Sequence, residues 1–140
     1  MKINQQYLKD LLIAFEDTEG PDTFVEELKG YEINSENFIF HMRLLDDNKL
    51  VTRVDGEPGL GHLFRQHMNG YDYRWLNTPL RLTSHGHDFI DALKQKDVWN
   101  SVKTEFKDVT SIRSLIKITK SLATGFAKKK IKDLTGFDAD

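Results

Sequence analysis

Histidines and nearby carboxylates are the first candidates for chemistry in this 140-residue chain. Their densest group comprises His85, His87, Asp88 and Asp91. Residues two apart on a helix point about 200° apart, so His85 and His87 cannot share one metal ion. His87 and Asp91 lie one turn apart, but two ligands are fewer than the three or four that a metal site in a protein uses. The sequence therefore predicts no metal site and no cofactor.

The sequence lacks the residue patterns that nucleophilic catalysis usually requires. The chain contains no cysteine and no Gly-x-Ser-x-Gly elbow. The glycines around Leu60 resemble a phosphate-binding loop but lack the Gly-Lys-Ser/Thr that such a loop requires. We therefore expect a binding protein and not an enzyme.

Basic side chains in the middle of the chain point to nucleic acid as one partner. Arginine binds phosphate, and the rings of Tyr71, Tyr73 and Trp75 could stack on bases or ribose if they are exposed. The predicted nucleic-acid-binding residues are His41, Arg43, Arg53, Arg65 and Arg74.

Acidic residues on the same predicted helix as His41 and Arg43 weigh against a DNA groove. Glu36, Asp46 and Asp47 outnumber Arg43 there, and phosphates repel them. The alternative is a protein-interaction module, in which this acidic helix (residues 36–48) and an apolar C-terminal helix contact a host protein or a second copy.

Charge is distributed unevenly along the chain. Residues 1–50 carry 5 basic and 11 acidic side chains, whereas residues 101–140 carry 9 basic and 5 acidic ones. An anionic partner is therefore expected at the middle or the C-terminal part of the chain. The first residues lack the apolar core of a secretion signal, and the longest apolar run, Leu11–Phe15, is too short to cross a bilayer. A cytoplasmic protein without membrane contact is the expectation.

Apolar spacing and capping residues predict the helices. They cover residues 4–17 after Asn4, 36–48 after Asn34 or Ser35, and a segment from Thr83 or Ser84. Asp97 is expected to cap a fourth helix, and Thr110 or Ser111 a last one that Gly136 closes.

Strand-forming residues predict a hairpin between Leu50 and Leu82. Its strands are expected at residues 50–54 and 71–82, joined by a mobile glycine-rich loop at 55–70. Residues 23–31 are expected to be extended and to pair with this hairpin. The order of helices and strands predicts an α+β winged-helix domain over residues 1–97, with a helical extension over residues 98–140.

The last helix carries a continuous apolar stripe. At about 100° per residue, its apolar side chains fall on one side and its lysines on the other. Apolar side chains at such spacing need burial, which predicts a homodimer through this helix. The predicted oligomerisation residues are Ile112, Leu115, Ile116, Leu122 and Phe126.

Two blocks of the chain resemble an uncharacterised winged-helix family of small phage and prophage proteins. The first block is His41-Met42-Arg43-Leu44-Leu45 followed by Asn48-Lys49-Leu50-Val51. The second is Arg81-Leu82-Thr83-x-x-Gly86-His87-Asp88-Phe89-Ile90-Asp91-Ala92, with Trp99 following. Asn48-Lys49 replaces the Ala-Gly typical of the family, so Asn48 is expected to take the left-handed conformation. The resemblance implies a winged helix of phage origin and supplies no catalytic residue.

Overall fold

The computed structural model of the chain describes residues 1–137. It is a mixed α+β structure. The helices are α1 (Gln5–Glu16), α2 (Glu36–Asp47), α3 (Ser84–Leu93), α4 (Lys96–Glu105) and α5 (Ile112–Thr135), with a single 3-10 turn at Val25–Glu27. The strands are β1 (Val51–Arg53), β2 (His62–His67), β3 (Gly70–Trp75) and β4 (Leu80–Leu82). Within residues 1–137, each helix is too short or too polar to cross a membrane.

Side-chain caps confirm most of the predicted helix starts. The oxygens of Asn4, Ser35, Thr83 and Ser111 accept backbone N–H donors three residues further on, over 2.9–3.2 Å. These bonds satisfy donors that the first turn of a helix leaves free. Gly136 closes α5 at φ 76°, as predicted. The prediction for Asp97 is wrong, because α4 follows the extended backbone of Gln95 and Asp97 lies inside its first turn.

Two separate antiparallel sheets form in the middle of the chain. β1 pairs with β4, from Val51 opposite Leu82 to Arg53 opposite Leu80, which confirms the predicted pairing of residues 50–54 with the end of segment 71–82. Thr23 adds an isolated bridge to Leu80, with N···O distances of 2.7 and 2.8 Å. The expected extended segment stops there, since the Glu27 carboxylate accepts from the Phe24 N–H at 3.2 Å and supports the 3-10 turn instead.

The second sheet lies where the sequence suggested a loop. β2 pairs with β3 from His62 opposite Trp75 to His67 opposite Gly70. The prediction of a mobile loop over residues 55–70 is therefore wrong for its second half, because β2 obtains its hydrogen bonds from β3. Residues 71–82 are likewise two strands, interrupted where Pro79 offers no N–H for pairing.

The turn after α2 also differs from its prediction. Lys49, at φ 56°, is left-handed, whereas Asn48 has φ −98°. The Asn48 side chain donates to the Leu44 carbonyl oxygen at 2.9 Å. Asn48 therefore caps the helix, and the left-handed conformation occurs at Lys49 instead.

The chain divides into two compact units. The first contains Met1 and Asp10–His87, and the second contains Lys2–Lys9 and the chain from Asp88. Buried apolar side chains of the first unit include those of α2 and the strands: Phe38, Ile39, Met42, Leu45, Leu50, Val51, Leu60, Leu80 and Leu82. In the second unit they include Phe89, Ile90, Leu93, Val98, Val102, Ile112 and Leu115. The boundary at residue 97 between a winged-helix domain and a helical extension stays a prediction.

Candidate interaction surface

One side of the β2–β3 hairpin is a layer of aromatic rings. Residues that pair directly in an antiparallel ladder share a face, which places five rings together. We call this layer the aromatic face: His62, Phe64, Tyr71, Tyr73 and Trp75. The Phe64 ring lies 5.3 Å from Tyr71 and 5.8 Å from Tyr73, between centroids. Ring pairs at such distances stabilise a hairpin beyond the area they bury.

The β2–β3 hairpin exposes apolar side chains on both of its faces. We call Leu63, Phe64, Met68 and Tyr71 the apolar surface of the hairpin. Leu63 lies on the face opposite Phe64 and Tyr71, and Met68 lies in the turn. Leu63 is 48 % exposed, Phe64 57 %, Tyr71 51 % and Met68 100 %. Single exposed apolar residues are common, whereas several on one hairpin make it a candidate interaction surface. Phe64 was missed in the sequence because the surrounding glycines hid the alternation of β2.

Trp75 fixes the inner end of the hairpin. Its ring is 8 % exposed, meets Phe38 of α2 edge-on at 5.7 Å and lies 5.1 Å from His62. The indole Nε1–H donates to the Ile33 carbonyl oxygen at 2.5 Å. Stacking of Trp75 on bases is expected only for an exposed ring, and this ring is buried inside the protein.

The aromatic face also contacts the outer side of α2. Arg43 Nε donates to His62 Nε2 at 3.2 Å, and the Arg43 guanidinium lies 5.2 Å from the centroid of the Tyr73 ring. The Tyr71 hydroxyl donates to the Glu36 carboxylate. A recognition helix must present a free face to enter a DNA groove, whereas these three contacts place the hairpin over that face of α2.

His41 lies inside the first unit. Its side chain is fully buried, and its Nδ1 lies 2.8 Å from the Asn37 carbonyl oxygen. The prediction that His41 reaches outward is wrong, because it shares a helical stripe with Phe38 and Leu45. The spacing i, i+3, i+7 in the sequence already contained that signal.

Carboxylates neutralise two of the predicted arginines. Arg53 makes two hydrogen bonds to Asp55, at 3.0 and 2.7 Å, and Arg65 makes two to Asp72, at 2.9 and 2.8 Å. The hydrogen bond from Arg65 lowers the pKa of Asp72, so this carboxylate stays charged. Arg74 is exposed and forms no ion pair within residues 1–137. The hairpin therefore displays less positive charge than the sequence suggests.

His62 is a half-buried imidazole with one unused nitrogen. Its Nε2 accepts from Arg43, so a neutral ring carries its proton on Nδ1, which is buried without a hydrogen-bond partner. Burial lowers the pKa of His62, and Arg43 lowers it further, while Asp46 opposes the shift. Burial also lowers the pKa of His41. Both shifts favour the neutral form of the ring in the folded chain.

We expect this pair of histidines to weaken the fold in mild acid. A group with a lowered pKa in the folded state binds its proton first in the unfolded state, so stability is present above the ordinary pKa of 6.5 and is lost as the pH falls below it. The free energy of unfolding in urea, measured between pH 7.5 and 5.0, checks this. His62→Gln should flatten the decline, whereas the exposed control His85→Gln should not. A wild-type profile that is level over this range would contradict the prediction.

The predicted dimer residues of α5 differ in accessibility. Leu115 is fully buried and Ile112 is 8 % exposed, and α5 packs against α4 in the second unit. The prediction that Ile112 and Leu115 form a dimer interface is therefore wrong, since their side chains are buried within the chain. Ile116, Leu122 and Phe126 are only half-buried. The more exposed apolar residues follow them: Ile131, Leu134 and Phe137.

Metal-ligating side chains are dispersed in the part of the chain that the structure describes. There, no three histidine, aspartate or glutamate residues come close enough to hold a metal ion. His85 and His87 are both exposed near the start of α3.

Comparison with known proteins identifies the family. No curated protein and no solved structure matches the chain. Residues 2–113 match a family described as hypothetical protein (DUF2513). This match covers most of the chain, which therefore belongs to that family of hypothetical proteins.

Proposed function

We propose that this chain is a non-enzymatic winged-helix protein that binds another protein through its β2–β3 hairpin. The order of α1, the bridge at Thr23, α2 and the β1–β4 pair is compatible with a winged helix in which the hairpin is the wing. The resemblance to small phage and prophage proteins makes a regulatory contact with a host protein the proposed role.

The apolar surface of the hairpin is the observation that carries this proposal. It has four exposed apolar side chains, and the charge of the neighbouring Arg65 is neutralised by Asp72. Phosphate binding draws on free cations, whereas protein interfaces are enriched in aromatic residues and methionine. The hairpin therefore resembles a protein interface more than a phosphate-binding surface.

Nucleic acid is the second candidate, favoured by one specific observation. Arg74 is exposed and lies on the same hairpin as the half-exposed rings of Phe64 and Tyr71. Single-stranded nucleic acid binds such rings by stacking, and its affinity falls steeply with salt.

Affinity capture from host lysate tests the proposal. The full chain should still capture a protein partner after nuclease treatment. The double variant Leu63→Lys/Phe64→Lys should capture at least 10-fold less of this partner, because two lysines replace the apolar contact area. Leu134→Lys is the matched control, since Leu134 is also an exposed apolar residue but lies on α5. Capture that disappears with nuclease would support nucleic acid instead. Capture by the double variant equal to that of wild type would overturn the role of the hairpin.

A further inference from the structure

The outer edge of β2 is an open strand edge. In the described chain β2 pairs only with β3, so its second edge has no strand beside it. Residues 63–67 are all exposed, and backbone bonds outside the regular elements do not involve them. Proteins normally protect such an edge with charged side chains, proline or a bulge. β2, with the sequence HLFRQH, contains no proline, and the charge of Arg65 is neutralised by Asp72.

We infer that this edge pairs with the same edge of a second copy, which joins two hairpins into one four-stranded sheet. This inference rests on the proposed function, since it names a partner for the same hairpin. A two-fold axis perpendicular to the sheet would keep both aromatic faces on one side. The rings of Phe64, Tyr71 and Tyr73 would then continue into those of the second copy.

Charge permits a second copy, and the exposed ring of Phe64 selects the register. Arg65 is already paired with Asp72 across its own hairpin, so two copies approach without strong repulsion. Aromatic side chains directly opposite one another stabilise an antiparallel pair. A register centred on Arg65 would leave each exposed Phe64 opposite Gln66. A register centred on Phe64 places Phe64 opposite its own counterpart and Leu63 opposite Arg65.

Cross-linking tests this register directly because the chain contains no cysteine. Phe64→Cys would bring two thiols together at the axis, within the 4.4–6.8 Å between Cα atoms that a disulfide spans. Gln66→Cys is the matched control on the same face, and its counterpart would lie roughly 13 Å away, four residue steps along the strand. Mild oxidation should dimerise the first variant at least 10-fold more than the second.

The unmodified chain provides an independent measurement. Light scattering should give a mass that rises from monomer to dimer with concentration, and backbone amides of residues 62–67 should exchange more slowly at the higher concentration. Leu63→Lys/Phe64→Lys should abolish this change, whereas Leu134→Lys should keep it, because Leu134 is an exposed apolar residue of α5 and not of the hairpin. A monomer at every concentration, or equal cross-linking of both cysteine variants, would overturn the pairing. Continued capture of a different protein from lysate would then leave the proposed function standing.

Discussion

Gly86→Ala is expected to destabilise the protein by about 3 kcal/mol, the cost of forcing atoms into a packed site that cannot relax. A Cβ at this position would overlap the Leu50 carbonyl oxygen, and it would lie 3.1 Å from both the Leu50 carbonyl carbon and Leu82 Cδ2. The overlapping atom belongs to the backbone at the start of β1, so it cannot move aside as a flexible side chain would. The free energy of unfolding in urea measures the effect.

Gly125→Ala is the matched control for this substitution. Gly125 also lies inside a helix, but a Cβ there meets no atom within 4 Å. Alanine should therefore stabilise α5 by about 0.5–1 kcal/mol, because it restricts the unfolded chain and favours the helix. Equal effects at the two glycines would contradict the close approach of α3 to Leu50.

Trp75→Ala is expected to cost about 3–5 kcal/mol, in the range for removing a buried aromatic side chain. The change deletes the contacts with Phe38 and His62 and the hydrogen bond to Ile33 together. Because Trp75 fixes the inner end of the hairpin, amides of β2 and β3 should also lose protection from hydrogen exchange. Urea unfolding and exchange at neutral pH measure the two effects.

Trp75→Phe separates the hydrogen bond from the packing. Phenylalanine keeps a ring at this position but cannot donate to the Ile33 carbonyl oxygen, so a loss of about 1 kcal/mol is expected. Hairpin protection should survive in this variant. If Trp75→Ala unfolds no more easily than Trp75→Phe, the anchoring role of the indole is wrong.

Local signals allowed much of the helical structure to be predicted. Ser35, Thr83 and Ser111 cap helices through bonds that reach only three residues along the chain. β2 could not be predicted in this way, because its hydrogen bonds come from β3 and its neighbourhood is rich in glycine. The pairing of Arg65 with Asp72 likewise follows from the strand register, which composition does not reveal.

The structure corrects more of the predicted site than of the predicted fold. His41 lies on the helical stripe of Phe38 and Leu45, so it is buried and does not reach outward. The indole of Trp75 is buried and binds the protein's own backbone. Phe64 became important only once the ladder placed it beside Tyr71 and Tyr73. In each case the deciding information is which face of the helix or strand already packs against the rest of the chain.

Site-specific photo-crosslinking in cells is the most direct test of the central claim that the hairpin binds a protein. A photoreactive phenylalanine at position 64 should form a protein adduct, and the same group at Ser121, an exposed position on α5, should form none. An adduct of twice the mass of the chain would identify a second copy, and any other protein adduct a different partner. Adducts only to nucleic acid, or adducts at position 121 and none at position 64, would contradict the account.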